Sequence, residues 1–207
     1  MSLFEQLIPK QILDLMALDQ FDLTIVLDGT AANSKHPMAR VSVNDVVIND
    51  GPVEGQKTIN FSTRFAADTE TVTVKIEHYD KDDLVTARDS QGNILENQSV
   101  TLTSILVNGV DIIKTGIIYN LGHYYQNLSE DKKEYFLANN IDIGPTHSLS
   151  MHENGHWLLE FKLPAMTNLI KFVSRYEEHE KWPNADLMDQ YYHRIKRLEN
   201  TNDPANK

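Results

Sequence analysis

The sequence predicts a mainly β protein: an antiparallel β-sandwich of jelly-roll-like topology with N- and C-terminal helices. Three observations carry this expectation. Between residues 21 and 112, apolar and polar residues alternate with a period of two in several short stretches, the spacing of strands with one buried face. Turn-forming pairs, Asn44-Asp45 and Asn108-Gly109, sit between such stretches at hairpin spacing. Apolar residues at helical spacing gather towards the two ends.

The elements follow in order. Residues 2–18 read as a broken helix: Ser2 can cap it, Phe4, Leu7 and Ile8 form one face, and Pro9 interrupts it. Residues 21–27 are β-branched and apolar, and Asp28-Gly29 ends them. Residues 38–43 and 46–48 form a hairpin about Asn44-Asp45. Residues 57–65 and 71–79 alternate cleanly, with Val72, Val74 and Ile76 set against Thr73, Lys75 and Glu77. Residues 98–107 form a further strand that returns through Asn108-Gly109. A long acidic loop, 80–97, separates two of these strands, and loops of that length are usually functional or disordered. Ser129 caps a short charged helix that ends at Asn139-Asn140. Beyond Pro164 the spacing becomes helical through Met166, Leu169, Ile170 and Val173, and again through Leu187, Tyr191, Ile195 and Leu198. The expected organisation is a helical arm at 1–18, a sandwich at 21–164 with an added hairpin, a helical tail at 165–198 and disorder at 199–207.

Composition narrows the function. The chain has 207 residues, a net charge of −11 and no cysteine. Disulfides and thiolate chemistry are therefore excluded. The acidic balance argues against nonspecific nucleic-acid binding, which depends on Lys and Arg neutralising phosphates. No apolar run approaches the roughly 20 residues of a membrane span. The first 19 residues lack a basic start followed by an apolar run and are not read as a secretory signal.

One stretch supports two readings. His152-Glu153-Asn154-Gly155-His156 has the letters of a zinc-hydrolase motif, in which a helix brings both histidines to one Zn²⁺ and Glu153 acts as general base. That helix would have to run through Asn-Gly, a poor helix-forming pair and a strong hairpin signal. Trp157, Leu159, Phe161 and Leu163 then alternate with Leu158, Glu160 and Lys162. The stretch is accordingly expected to be a hairpin turn, which leaves the protein without a catalytic motif. Nucleotide-binding glycine loops and the nucleophile elbow of hydrolases are also missing from the sequence.

Two sets of residues remain as binding candidates. Asp80, Asp82 and Asp83, with Asp89 and Asn93 further along the loop, offer the hard oxygens that Ca²⁺ takes. Tyr79, Tyr119, Tyr124, Tyr125 and Trp157 could stack on a sugar ring if exposed, and Tyr79 and Trp157 are the leading pair.

Residues 21–112 resemble small β-sandwich carbohydrate-binding modules of the calcium-dependent xylan-binding type. The resemblance is carried by FDLTIVLDGTAANSKHPMARVSVNDVVI, TVTVKIEHYDKDD and SVTLTSILVNGVDI. It implies a sandwich in which calcium in an acidic loop coordinates sugar hydroxyls, here at Asp80, Asp82 and Asp83. The Gly-rich, Arg-Asn-containing run of that family is replaced by residues 84–97. The whole arrangement also looks like virion proteins of tailed bacteriophages, through Asn154, Gly155, Trp157, Leu159, Phe161 and Pro164. The expected function is a non-enzymatic structural or adsorption protein at a virion tail, neck or capsid surface. It would assemble with itself or other virion proteins through its terminal helices. A calcium-dependent glycan-binding module is the alternative, and a zinc hydrolase the second.

Overall fold

The computed structural model describes residues 20–66, 68–81, 85–141, 143–165, 168 and 169. The expected terminal helices and tail lie outside this set, apart from residues 165, 168 and 169. One compact unit spans Asp19–Ala165. Within it two five-stranded antiparallel sheets form the sandwich.

Sheet 1 has the order β11-β8-β1-β4, with β9 also paired to β8. Its strands are β1 (Gln20–Thr30), β4 (Gly55–Arg64), β8 (Ser99–Val107), β9 (Val110–Asp111) and β11 (Ser150–Met151). Sheet 2 has the order β10-β12-β5-β2-β3. It is built from β2 (Met38–Val43), β3 (Val46–Pro52), β5 (Thr71–Tyr79), β10 (Gly122–Gln126) and β12 (Gly155–Lys162). A small hairpin of β6 (Ala87–Arg88) and β7 (Ile94–Glu96) occupies part of the long loop. Among the described residues the helices are α1 (Ile118–Leu121) and α2 (Glu130–Ala138).

Alternation produces the core. Phe21, Leu23, Ile25 and Leu27 point inwards from β1, while Val72, Val74 and Ile76 do so from β5 and Trp157, Leu159 and Phe161 from β12. The sheets meet where the Phe21 ring lies edge-on to the Phe161 ring at 5.5 Å. Two expected hairpins form because their turn residues accept positive φ: Asn44 and Asp45 at 46° and 64°, Asn108 and Gly109 at 50° and 84°. Ser129 caps α2 as its sequence indicated, its hydroxyl accepting from the Lys132 amide at 3.4 Å.

The expected hairpin about Asn154-Gly155 does not form. Met151 pairs with Val100 in sheet 1, whereas Gly155 pairs with Gln126 and His78 in sheet 2. Residues 152–154 therefore carry the chain from one sheet to the other.

Candidate functional site

The outer face of sheet 2 and the adjoining α1 carry a group of rings. On β10 and β12, Tyr124 and Trp157 are register partners and both are buried, at 1% and 0% exposure. Strand alternation then turns the neighbouring pairs, His123 with Leu158 and Tyr125 with His156, to the outside. Tyr125 is 36% exposed, and Tyr119, from α1, is 42% exposed.

These rings form a continuous row. Tyr125 stacks on His156 at 5.3 Å and 20°, and its other neighbour, His123, stands edge-on at 6.5 Å. The His123 and His147 rings lie 4.7 Å apart at 26°, and His147 contacts Tyr119 at 5.2 Å. A backbone bridge sets the position of His147: Tyr124 and Thr146 exchange N–H···O bonds of 2.8 and 2.9 Å. Burial and the nearby Lys75 ammonium hold the His156 imidazole below the usual histidine range.

Charged side chains continue the face across β5, β2 and β3. His156 is the register partner of Glu77, whose carboxylate accepts from Lys75 Nζ at 2.6 Å. Arg40 Nε lies 3.0 Å from the Asp50 carboxylate, and Arg40 Nη1 lies 3.9 Å from Glu77. The Tyr79 hydroxyl donates to Asp50. That bond raises the phenol above its ordinary range and lowers the carboxyl below its own. The Arg40 guanidinium covers one face of the Tyr79 ring at 4.8 Å.

The sequence-derived candidates separate in this frame. Tyr79 lies on the outer face, with one ring face already occupied. Trp157 is a core residue whose indole N–H donates to the Ser148 carbonyl at 2.9 Å, so it presents no surface for a ligand. Asp80 is exposed at the end of β5 with a φ of 57°, and Asp82 and Asp83 lie outside the described residues. Asp89 and Asn93 serve their own turn: the Asp89 carboxylate accepts from the Gln91 and Asn93 amides at 2.8 Å each and from Asn93 Nδ2 at 2.8 Å. Among the described residues no three His, Asp or Glu side chains cluster to hold a metal. The row itself depends on His123, His147 and His156, of which the sequence drew attention to His156 as a zinc-motif letter and not as a stacking ring. Its one sequence signal is the alternation across Gly122-His123-Tyr124-Tyr125-Gln126.

The zinc-motif geometry is absent from residues 152–156, because the segment is a bend followed by a strand rather than a helix. His156 points into the ring row, while His152 is exposed in the bend. Glu153 accepts from Lys132 Nζ at 2.6 Å and lies 3.9 Å from Lys81 Nζ. The corner is instead a structural knot. The Asn154 side chain accepts from the Lys81 amide at 2.9 Å and donates to the Lys81 carbonyl at 3.0 Å. Tyr124 donates its hydroxyl to the Glu153 carbonyl at 2.8 Å, and Lys81 Nζ donates to the His152 carbonyl. A polar cleft of about 750 Å³ opens beside it, lined by Lys81, Gln126, Lys132, Glu153 and Asn154 among others.

No known family's sequence profile matches the chain, and no curated protein matches it. Among solved structures it is similar to a vCBM60 module in complex with galactobiose. That match has 14% identity and a TM-score of 0.37, and covers 67% of this chain and 96% of the module. A selenomethionine form of vCBM60, from work linking two families of calcium-dependent carbohydrate-binding modules by circular permutation, is also similar. It shows 13% identity and a TM-score of 0.37, over 67% of this chain and 89% of that one. At this degree of likeness, function has to be read from the chain's own residues.

Proposed function

We propose that the chain is a non-enzymatic adsorption protein that binds a glycan on the outer face of sheet 2, in the setting of a tailed-bacteriophage virion. The observation that supports this reading is the row Tyr119, His147, His123, Tyr125 and His156, beside hydrogen-bonding charges at Lys75 and Glu77. The C–H face of a pyranose packs on an aromatic surface, while its hydroxyls exchange bonds with flanking polar groups. Covering one ring face removes roughly 50 Å² from water, about 1 kcal/mol at 25 cal/mol per Å². Binding through one row is therefore weak, and display of several copies raises it by avidity. Assembly through the apolar faces at 1–18 and 165–198, around a sandwich at 21–164, would supply those copies. Calcium at Asp80, Asp82 and Asp83 belongs to the same proposal, on the strength of their oxygen donors.

A polysaccharide panel, run with and without chelator, tests it. One or more glycans should bind, and Tyr125→Ala or Tyr119→Ala should weaken binding by about tenfold, equivalent to about 1.4 kcal/mol. If no glycan is retained under either condition, the glycan reading fails. Binding that ignores chelator removes only the calcium component.

A further inference from the structure

The two histidines at the middle of the row have a geometry that stacking alone does not call for. His123 Nδ1 and His147 Nε2 face each other at 2.8 Å. We propose that His123 and His147 form a two-imidazole site for a borderline divalent transition-metal ion such as Zn²⁺ or Ni²⁺. The pair is held by backbone, because each residue adjoins the Tyr124–Thr146 bridge, His123 on β10 and His147 in the segment bridged to it. Residues flanking such an antiparallel pair on facing positions have Cβ atoms about 4.5–5.5 Å apart. Ring packing limits both rotors: Tyr119 lies against His147 and Tyr125 stands edge-on to His123.

The distances suit the ion after a small adjustment. With metal–nitrogen bonds of about 2.0–2.1 Å at a tetrahedral angle, the two nitrogens stand about 3.3 Å apart. The pair would open by about 0.5 Å as the shared hydrogen leaves the gap. No net proton need be lost from two neutral rings. The donor ring carries its hydrogen on its other nitrogen instead, so both facing lone pairs point at the ion. Water, or hydroxyls of a ligand lying on the row, would fill the remaining positions. Imidazole ligands favour Zn²⁺, Ni²⁺ and Cu²⁺ over Ca²⁺ and Mg²⁺, which require oxygen. The chain has no cysteine, so no thiolate competes for the ion.

Titration calorimetry of the untagged full chain with ZnCl₂ or NiCl₂, after chelation and dialysis, tests the proposal. One equivalent should bind. Loss of a second-shell partner alone costs about 10–100-fold in affinity, so His147→Gln should weaken binding by at least about tenfold. His123→Gln should do the same, His152→Gln should leave binding unchanged, and excess Ca²⁺ should not compete. His147 is exposed, so its substitution leaves the core intact. Failure of the wild-type chain to bind either ion would overturn the site, as would wild-type affinity in both His147→Gln and His123→Gln. Neither result bears on the polysaccharide panel.

Discussion

Tyr124 and Tyr125 are neighbours in sequence and opposites in environment. The first is buried beside Trp157, and burial raises its phenol well above the ordinary range. The second is exposed and stacks on the half-buried ring of His156. Composition marks both as ring donors, but only the register of β10 against β12 decides which one reaches solvent. Trp157 illustrates the same limit: its place in an alternating run announces a buried face, and that face excludes it from ligand contact. His78 gives the clearest consequence at this scale. It is 1% exposed on the inner face of β5, and its Nδ1–H donates to the Met151 carbonyl at 3.1 Å. Its Nε2 is buried without a hydrogen-bond partner among the described residues. Burial, with Lys81 adding repulsion, lowers its pKa from 6.5 to about 4. The unfolded chain therefore takes up this proton before the folded one does. The stabilisation is complete above about pH 6.5 and is lost as pH falls towards 4, by about 3 kcal/mol in all. Urea unfolding between pH 7.5 and 4 should show this loss in the wild type, and a smaller one in His78→Gln. Equal slopes in the two proteins would refute the assignment.

Turns were legible where the backbone itself needed the residue. Asn44-Asp45 and Asn108-Gly109 adopt positive φ and close hairpins, as their letters indicate. Asn154-Gly155 has the same letters for different reasons. Gly155 is there for close approach: a Cβ would stand 2.3 Å from the Tyr125 carbonyl oxygen and 2.8 Å from the Tyr124 ring. Asn154 is there for its amide, which pairs with both backbone groups of Lys81 and continues the contact between β5 and β12 past their ends through a side chain. Neither reason is local, so no reading of neighbouring residues could separate this crossing from a turn. The distinction is measurable. At a positive-φ turn, Asn→Gly is nearly neutral, because glycine accepts that conformation freely. At this corner Asn154→Gly should cost about 2 kcal/mol, much like Asn154→Ala, because two bonds to partly buried backbone are lost. Gly155→Ala should cost at least as much, because backbone rather than a flexible side chain blocks the new methyl. Chemical denaturation of the three variants checks this, and a neutral Asn154→Gly would restore the turn interpretation.

At the scale of the molecule, a period-two pattern was sufficient to indicate two packed sheets, since Val74 and Phe161 each sit in a visible alternation. Sheet membership was not visible. The chain passes from β1 in sheet 1 to β2 and β3 in sheet 2, returns for β4, and crosses again for β5. Those choices rest on partners tens of residues away. The separation of tasks is clearer: the ring row and the histidine pair fall within Asp19–Ala165, while the apolar terminal stretches fall outside it. If the sandwich binds and the ends assemble, the two properties should come apart on truncation. A chain limited to residues 19–165 should unfold cooperatively, sediment as a monomer and keep the affinity of a single row for a short soluble glycan. The full chain should sediment as an oligomer and leave a polysaccharide-coated surface far more slowly, because an intact neighbour holds the assembly while one row dissociates. Analytical ultracentrifugation paired with surface dissociation rates makes the comparison. A monomeric full chain would remove assembly from the proposal and leave the binding face standing, whereas equal dissociation rates from an oligomer and a monomer would show that the rows cannot engage together.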